Sequence, residues 1–415
     1  MSYEDRVLAN IDKEKDKLIK MMQEVIRINT VNPPGNESCA AEYLDPKLKE
    51  LGFAVQLVEA EKGRANIIGT LPGKAGKPKL CMFAHTDTVP AGDLNDWIVD
   101  PFSGSIKDDK IYGRGASDHK FPMATLTIAM KAIKDAGLTL NGDLIYAFTA
   151  DEERGSNAGL RFLMDNNLKL LQADYGIYVG PTSTGGKRGS FAPWLGEHNV
   201  IVASNGMLNY TITVKGRTSH TMSLETGINS IYKAARLILR FKEFADEVNT
   251  RTHPDTGKAR MSVNMINGGD KENQVPHRCK LLIDRRITPN ESAAQATKEI
   301  EAIIDAAKKD DPELKIDVGL FEGMPAISLP KDSELVKAIQ RCAVKVTGKE
   351  PLAVGVSGSS DMAWFASKTG AQSANFGYGD ITTAHAANEF ISIPDLVNTT
   401  KACALIIMDI LGVAK

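Results

Sequence analysis

The stretch "DLIYAFTADEERG", Asp143 to Gly155, decides the fold. Its first half is a short apolar run, rich in residues that suit a buried strand. Its second half sets Asp151, Glu152 and Glu153 side by side at the end of that run. Three adjacent carboxylates repel one another and are costly to desolvate unless protons, cations or a metal compensate them. A solvated acidic turn is the ordinary outcome for such a triplet, because charged side chains are mostly exposed. Neighbouring segments decide between that outcome and a built site.

Upstream, helical periodicity covers roughly 4–28 and 39–52, and short apolar runs follow: "FAVQLVEA", "NIIGTL" and "KLCMFAHTD". A helix fits "PMATLTIAMKAIKDAG"; after the acidic triplet come the helical "NAGLRFLMDNNL" and the strand-like "YGIYVGPT". Strands alternating with helices predict an α/β fold with a mixed, mainly parallel sheet covered by helices. Ligands in such sheets sit at the carboxyl ends of strands. "AHTD", "TADEE" and "VGPT" all occupy such ends.

The middle of the chain changes character. "NGMLNYTITVKGR" alternates with period two, "GINSIYKAARLILRFKEFADEV" is a long amphipathic helix, and "ARMSVNMINGG", "CKLLIDRRIT" and "SAAQATKEIEAIIDAAKKD" read as strand, strand and helix. We therefore expect a catalytic domain in two parts, 1–198 and 316–415, interrupted by an α+β module over 199–315.

Composition bounds the function. The chain has 415 residues and a formal charge of -2, so no basic field supports nucleic-acid binding. Five scattered cysteines, none paired as CxxC, argue against a disulfide framework and fit a reducing, cytoplasmic setting. The N-terminus lacks the apolar core of a signal peptide, and no apolar run reaches the roughly 18 residues of a membrane span.

Only seven histidines are present. His85 in "FAHTDTVP" ends a strand, with Asp87 two residues on and able to orient its ring. "IYGRGASDHK" presents Asp118 at a helix start, and its glycines lack the third member of a dinucleotide loop. "FGYGDITTAHAANEF" carries His385. In "GVSGSSDMAWF", Ser359 occupies the last glycine position of a serine-hydrolase elbow, which weakens that reading. Together His85, Asp118, Glu152 or Glu153, and His385 offer oxygen and imidazole donors that suit zinc, manganese or cobalt. One glutamate of the pair would bind the cation and its neighbour would serve as general base.

In order along the chain, "HTDTVP", "GRGASDHK", "TADEERG", "SNGMLNYTITVKGRTSH", "GGDKENQVP", "IDRRITP", "SGSSD" and "GDITTAHAANEF" resemble the aminoacylase / acetylornithine deacetylase / succinyl-diaminopimelate desuccinylase / glutamate carboxypeptidase family of metallohydrolases, over almost the whole chain. The resemblance implies a ferredoxin-like lid and a homodimer formed through it. It implies that Asp118 bridges two metals, that Glu153 and His385 hold the first and His85 the second. Glu152 would be the general base and Asp87 the orienter of His85. His220 would steady the oxyanion of a neighbouring subunit's substrate. Asn273 and Arg286 would hold the substrate carboxylate, and the backbone at Gly358 would line the substrate pocket. A cis peptide would join Asp118 to His119.

One position departs from the pattern. In "DYGIYVGPTS" Gly180 stands where the family has an acidic ligand before Pro-Thr. The second metal position then keeps His85 and the shared Asp118 only, so a one-metal site is expected, with His119, Glu197 or His198 as candidate replacements. Amide hydrolysis of a small carboxylate-bearing substrate is the leading expectation. Ammonia release from an electron-poor aromatic amine, and a non-catalytic binding relative, are the alternatives.

Overall fold

The computed structural model describes residues 2–183 and 199–414. Glu197 and His198 lie outside the described residues. The chain divides into two compact units: Met1–Val202 with Leu329–Val354 and Ser360–Lys415, and Ala203–Ser328 with Gly355–Ser359. Against an expected insert of 199–315, the second unit runs on past 315 because the strand Lys315–Met324 pairs with Gly206–Lys215 and completes that unit's sheet.

At the centre of the first unit, the strand Lys79–His85 pairs in parallel with Asp143–Thr149 on one side and Tyr175–Tyr178 on the other. Gln372–Asn375 continues the parallel order beyond Tyr175–Tyr178. Ala65–Leu71 and Ala54–Glu59 add antiparallel pairs at the far side, so the sheet is mixed. Alternation along the central strands sorts their side chains onto two covered faces. Leu80, Met82, Ala84, Leu144, Tyr146 and Phe148 join one core with the helices Phe121–Asp135 and Ile393–Leu411. On the opposite face, Phe83 stacks on Phe365 of the helix Asp361–Thr369 at 4.6 Å. Burial on both faces explains why the sequence of these strands reads as continuous apolar runs.

The parallel register brings the strand ends together. His85 lies opposite Thr149, Phe83 opposite Tyr178, and Tyr178 opposite Asn375. The carboxyl ends of these strands therefore share one edge, and the loops after them carry the acidic triplet, "HTD" and Gly180. The N-terminal helical pattern resolves into two helices, Tyr3–Lys13 and Lys15–Arg27, interrupted at Glu14.

The main elements of the second unit follow the order β-α-β-β-α-β, with a short hairpin, Thr252–His253 and Gly257–Lys258, after the first helix. Its antiparallel sheet runs Arg260–Gly268, Arg278–Ile287, Gly206–Lys215, Lys315–Met324. That order is the ferredoxin-like one. The helices Ser230–Val248 and Ala293–Asp310 supply Leu237, Phe241, Ile300 and Ile304 to a separate core with Tyr210, Ile212, Leu281 and Ile283. Among the described residues, no helix is long and apolar enough to cross a membrane.

Candidate functional site

The acidic triplet is divided among three tasks. Asp151 turns away from its neighbours into a buried network. Its carboxylate accepts from Arg64 Nη2 at 2.8 Å, Asn32 Nδ2 at 2.9 Å and the Ala158 backbone at 3.0 Å. Glu153 faces His385, whose Nε2 lies 3.1 and 3.0 Å from its two oxygens. Among the described residues, the Glu152 carboxylate forms no hydrogen bond; it stands 4.0 Å from His85 Nε2.

His85, the last residue of its strand, is almost fully buried. Its Nδ1 faces oxygen on both sides: the Asp87 backbone carbonyl at 3.0 Å and the Asp87 carboxylate at 3.3 Å. Nδ1 therefore carries a proton, and Nε2 faces Asp118 Oδ1 at 3.2 Å. Asp87 is itself held by Asn32 Nδ2 at 2.9 Å and by the backbone of Glu152 and Glu153 at 3.0 and 3.3 Å. The other Asp118 oxygen lies 3.3 Å from His385 Nε2. One carboxylate thus serves two imidazoles, one on each oxygen.

Asp118 owes its place to Glu389. This fully buried glutamate accepts from Arg114 Nη1 at 2.6 Å and from the backbone of Gly115, Ser117 and Asp118 at 3.0, 2.8 and 2.8 Å. The loop is clamped just before the helix Phe121–Asp135, and the Asp118–His119 peptide is cis. His385 sits in a turn with φ 60°, half exposed, with its ring turned towards the carboxylates.

Electrostatics follow the geometry. Burial would depress the His85 imidazole, but the carboxylates of Asp118 and Asp87 outweigh it and hold it well above its usual range. Contacts with Asp118 and Glu153 push His385 up to about 10. Burial would raise Asp118, yet His385 and His85 hold it well below the usual carboxylate range. Burial drives Glu152 well above its ordinary value, against the pull of His85.

A divalent cation fits this donor set. Atoms of His85, Asp118 and Glu153 lie within 4.8 Å of one another, and His385 touches both carboxylates. Two carboxylates and two imidazoles with no thiolate suit a zinc, manganese or cobalt site.

The candidate replacement ligand His119 is buried beside the cluster but does not join it. Its ring stacks on that of His85, centroids 4.6 Å apart and planes 15° apart. The remaining candidates, Glu197 and His198, fall outside the described residues. His220, Asn273, Arg286 and Gly358 belong to the second unit. There His220 and Asn273 line one cavity of about 380 Å³ with Thr218, Ser219, Lys271 and Gln274. Arg286 donates to Asp284 at 2.9 Å, and a side chain at Gly358 would meet open space.

Sequence reasoning missed the layer behind the ligands: Asn32, Glu37, Arg64, Asp151, Glu389 and Asp361. Glu37 takes both Arg64 Nε and Nη2, at 2.6 and 2.8 Å. Asp361, fully buried at the start of its helix, accepts from Ser156 in the loop after the acidic triplet. The "NPPGNE" and "NEF" segments were the available signals, since each places an acid beside turn-forming residues, Glu37 just before a helix and Glu389 just before a strand.

Comparison with known proteins agrees with this geometry. The profile of the Peptidase family M20/M25/M40 matches residues 81–409. The chain is 25% identical over 430 residues to the N-formyl-4-amino-5-aminomethyl-2-methylpyrimidine deformylase of Halalkalibacterium halodurans, covering 97% of this chain and 96% of that one. It is 29% identical over 299 residues to the acetylornithine deacetylase of Proteus mirabilis, covering 71% and 72%. In fold it is similar to the M20 family metallo-carboxypeptidase Sso-CP2 from Sulfolobus solfataricus, with TM-score 0.73, 21% identity and coverage of 95% and 99%. The chain belongs to the peptidase family M20/M25/M40, as a metal-dependent hydrolase of carbon–nitrogen bonds.

Proposed function

We propose that this chain hydrolyses an amide or peptide bond of a small carboxylate-bearing substrate, with Glu152 as general base. The observation that carries this reading is the division of labour in the acidic triplet. Asp151 is committed to Arg64 and Glu153 to His385, while the Glu152 carboxylate stands free beside the cluster. When bound, a divalent cation supplies a Lewis acid that makes water nucleophilic near neutral pH.

The ligands we assign to the cation are Asp118, Glu153 and His385, with His85 on the far oxygen of Asp118. Two donors stand on the His85 side and three on the His385 side, so one ion is held tightly. Zinc, manganese and cobalt are the candidates. Glu152 takes a proton from the attacking water and returns it to the leaving amine. Asp87 and Asn32 keep the His85 ring in its tautomer. By family resemblance, His220 steadies the oxyanion, Asn273 and Arg286 hold the substrate carboxylate, and the Gly358 backbone lines the pocket. The sharing of one cavity by His220 and Asn273 supports grouping them. We further infer a homodimer through the second unit, in a reducing cytoplasm that suits the five free thiols.

The test is a screen of chelator-stripped protein, resupplied with zinc, manganese or cobalt, against N-acyl amino acids, dipeptides, N-formylated amines and aromatic amines. Turnover of amides bearing a carboxylate is the expected result. Ammonia release from the aromatic amines alone, or inactivity on every substrate at full metal loading, would overturn the proposal.

A further inference from the structure

Gly180 shows what became of the missing acidic ligand. Its backbone conformation is open to any residue, since its φ does not fall in the left-handed region. What forbids a side chain there is a neighbour. A Cβ at 180 would stand 2.5 Å from His119 Nε2 and 3.3 Å from Asn375 Oδ1. The first distance is far inside van der Waals contact. Both side chains are more than nine-tenths buried, and among the described residues both of these atoms lack a hydrogen-bond partner.

His119 cannot simply swing aside. Its Nδ1 accepts the His85 backbone N–H at 3.3 Å. Its faces stack on His85 and on Tyr178, each with centroids 4.6 Å apart, and Phe121 meets it edge-on at 5.9 Å. Close-packed rings of this kind resist reorientation.

Nor does His119 replace the ligand it displaces. With Nδ1 accepting, the proton of the neutral ring sits on Nε2, which then offers a donor and no lone pair. The stacking excludes it independently. A cation lies close to the plane of the imidazole that binds it, about 2.0–2.1 Å from the nitrogen. The His85 and His119 rings are stacked, with centroids 4.6 Å apart and planes 15° apart, so the two imidazoles would not serve as donors to one ion.

We propose that His119 is a plug that sets the cation stoichiometry: it fills the position from which residue 180 would offer a carboxylate, leaves the His85 side of the centre one donor short, and so limits the chain to one tightly held divalent cation. The proposal rests on the metal-dependent reading of the site, and its test separates the two.

The experiment counts manganese on chelator-stripped protein by calorimetric titration and elemental analysis. It also records the manganese paramagnetic resonance spectrum, in which two ions sharing Asp118 couple and one does not. Wild type and Gly180→Glu are expected to bind one ion per chain. His119→Ala/Gly180→Glu is expected to bind two, with a coupled spectrum. Two tightly held ions in the wild type, or one in a folded double variant, would overturn the plug. His119→Ala alone, titrated with acetate present, covers a double variant that does not fold: an acetate-dependent second ion supports the proposal, and its absence counts against it. Failure of every form to bind any ion would instead sink the metallohydrolase reading.

Discussion

Asp151, Glu152 and Glu153 are adjacent in sequence and do three unlike things, because each meets a different partner. Glu152 is the one whose loss should spare the site and stop the reaction. Glu152→Gln is expected to lower kcat by about 10²–10⁴-fold, the usual worth of a positioned acid–base group, with the manganese count unchanged. A lost ion in that variant would reassign Glu152 as a ligand. Arg64 makes the opposite case. It is buried between Glu37 and Asp151, so Arg64→Ala would strand two buried carboxylates. Breaking a buried pair in this way costs about 3–5 kcal/mol, and urea unfolding should show it. Asp361 carries a pH signature. Burial is the main reason that its carboxyl is raised from 3.8 to about 7. The native state then keeps a proton that the unfolded chain has released, so stability falls as pH rises between those values. Asp361→Asn removes that penalty. In chelator-treated protein its melting midpoint should exceed the wild type by a few °C at pH 8 and match it near pH 4, on the order expected for a domain of this size. An equal offset at both pH values would contradict the assignment.

Loops between elements do the positioning, and their anchors are longer-range than sequence patterns reveal. Strand ends were legible: apolar runs alternating with helical patterns put His85 and the triplet at the carboxyl ends of strands, and the in-register pairing of His85 with Thr149 agrees with that placement. The residues that hold those ends were not. Glu389 and Gly115 lie 274 positions apart, a separation that no helical or strand periodicity can register. A buried carboxylate is read from sequence as an exposed one until its partner is known. Glu389 also yields a prediction at this scale. Glu389→Ala would free three backbone N–H groups around Asp118. Metal affinity should fall about 10–100-fold, as for the loss of other groups that orient ligands. Unchanged affinity by calorimetry would show that the loop holds itself.

Two cores, each closed over its own sheet, make the molecule. The α+β character of the second was readable from its alternating strands and amphipathic helices; its extent was not, because Lys315–Met324 is defined by pairing with a strand about a hundred residues earlier. Among the described residues that sheet ends in an edge strand with one neighbour, Arg260–Gly268, with Met265 and Ile266 exposed. Apolar edges of this kind invite another strand. Light scattering on the purified protein should therefore return twice the chain mass, and Ile266→Lys should shift it towards one. For the molecule as a whole, the deciding measurement is anomalous diffraction from crystals of the zinc- or manganese-loaded protein, recorded at the metal edge. The expected peak lies about 2.0–2.2 Å from donor atoms of Asp118, Glu153 and His385, with the Glu152 carboxylate outside bonding distance. A peak bonded to Glu152, or no peak among these side chains, would contradict it.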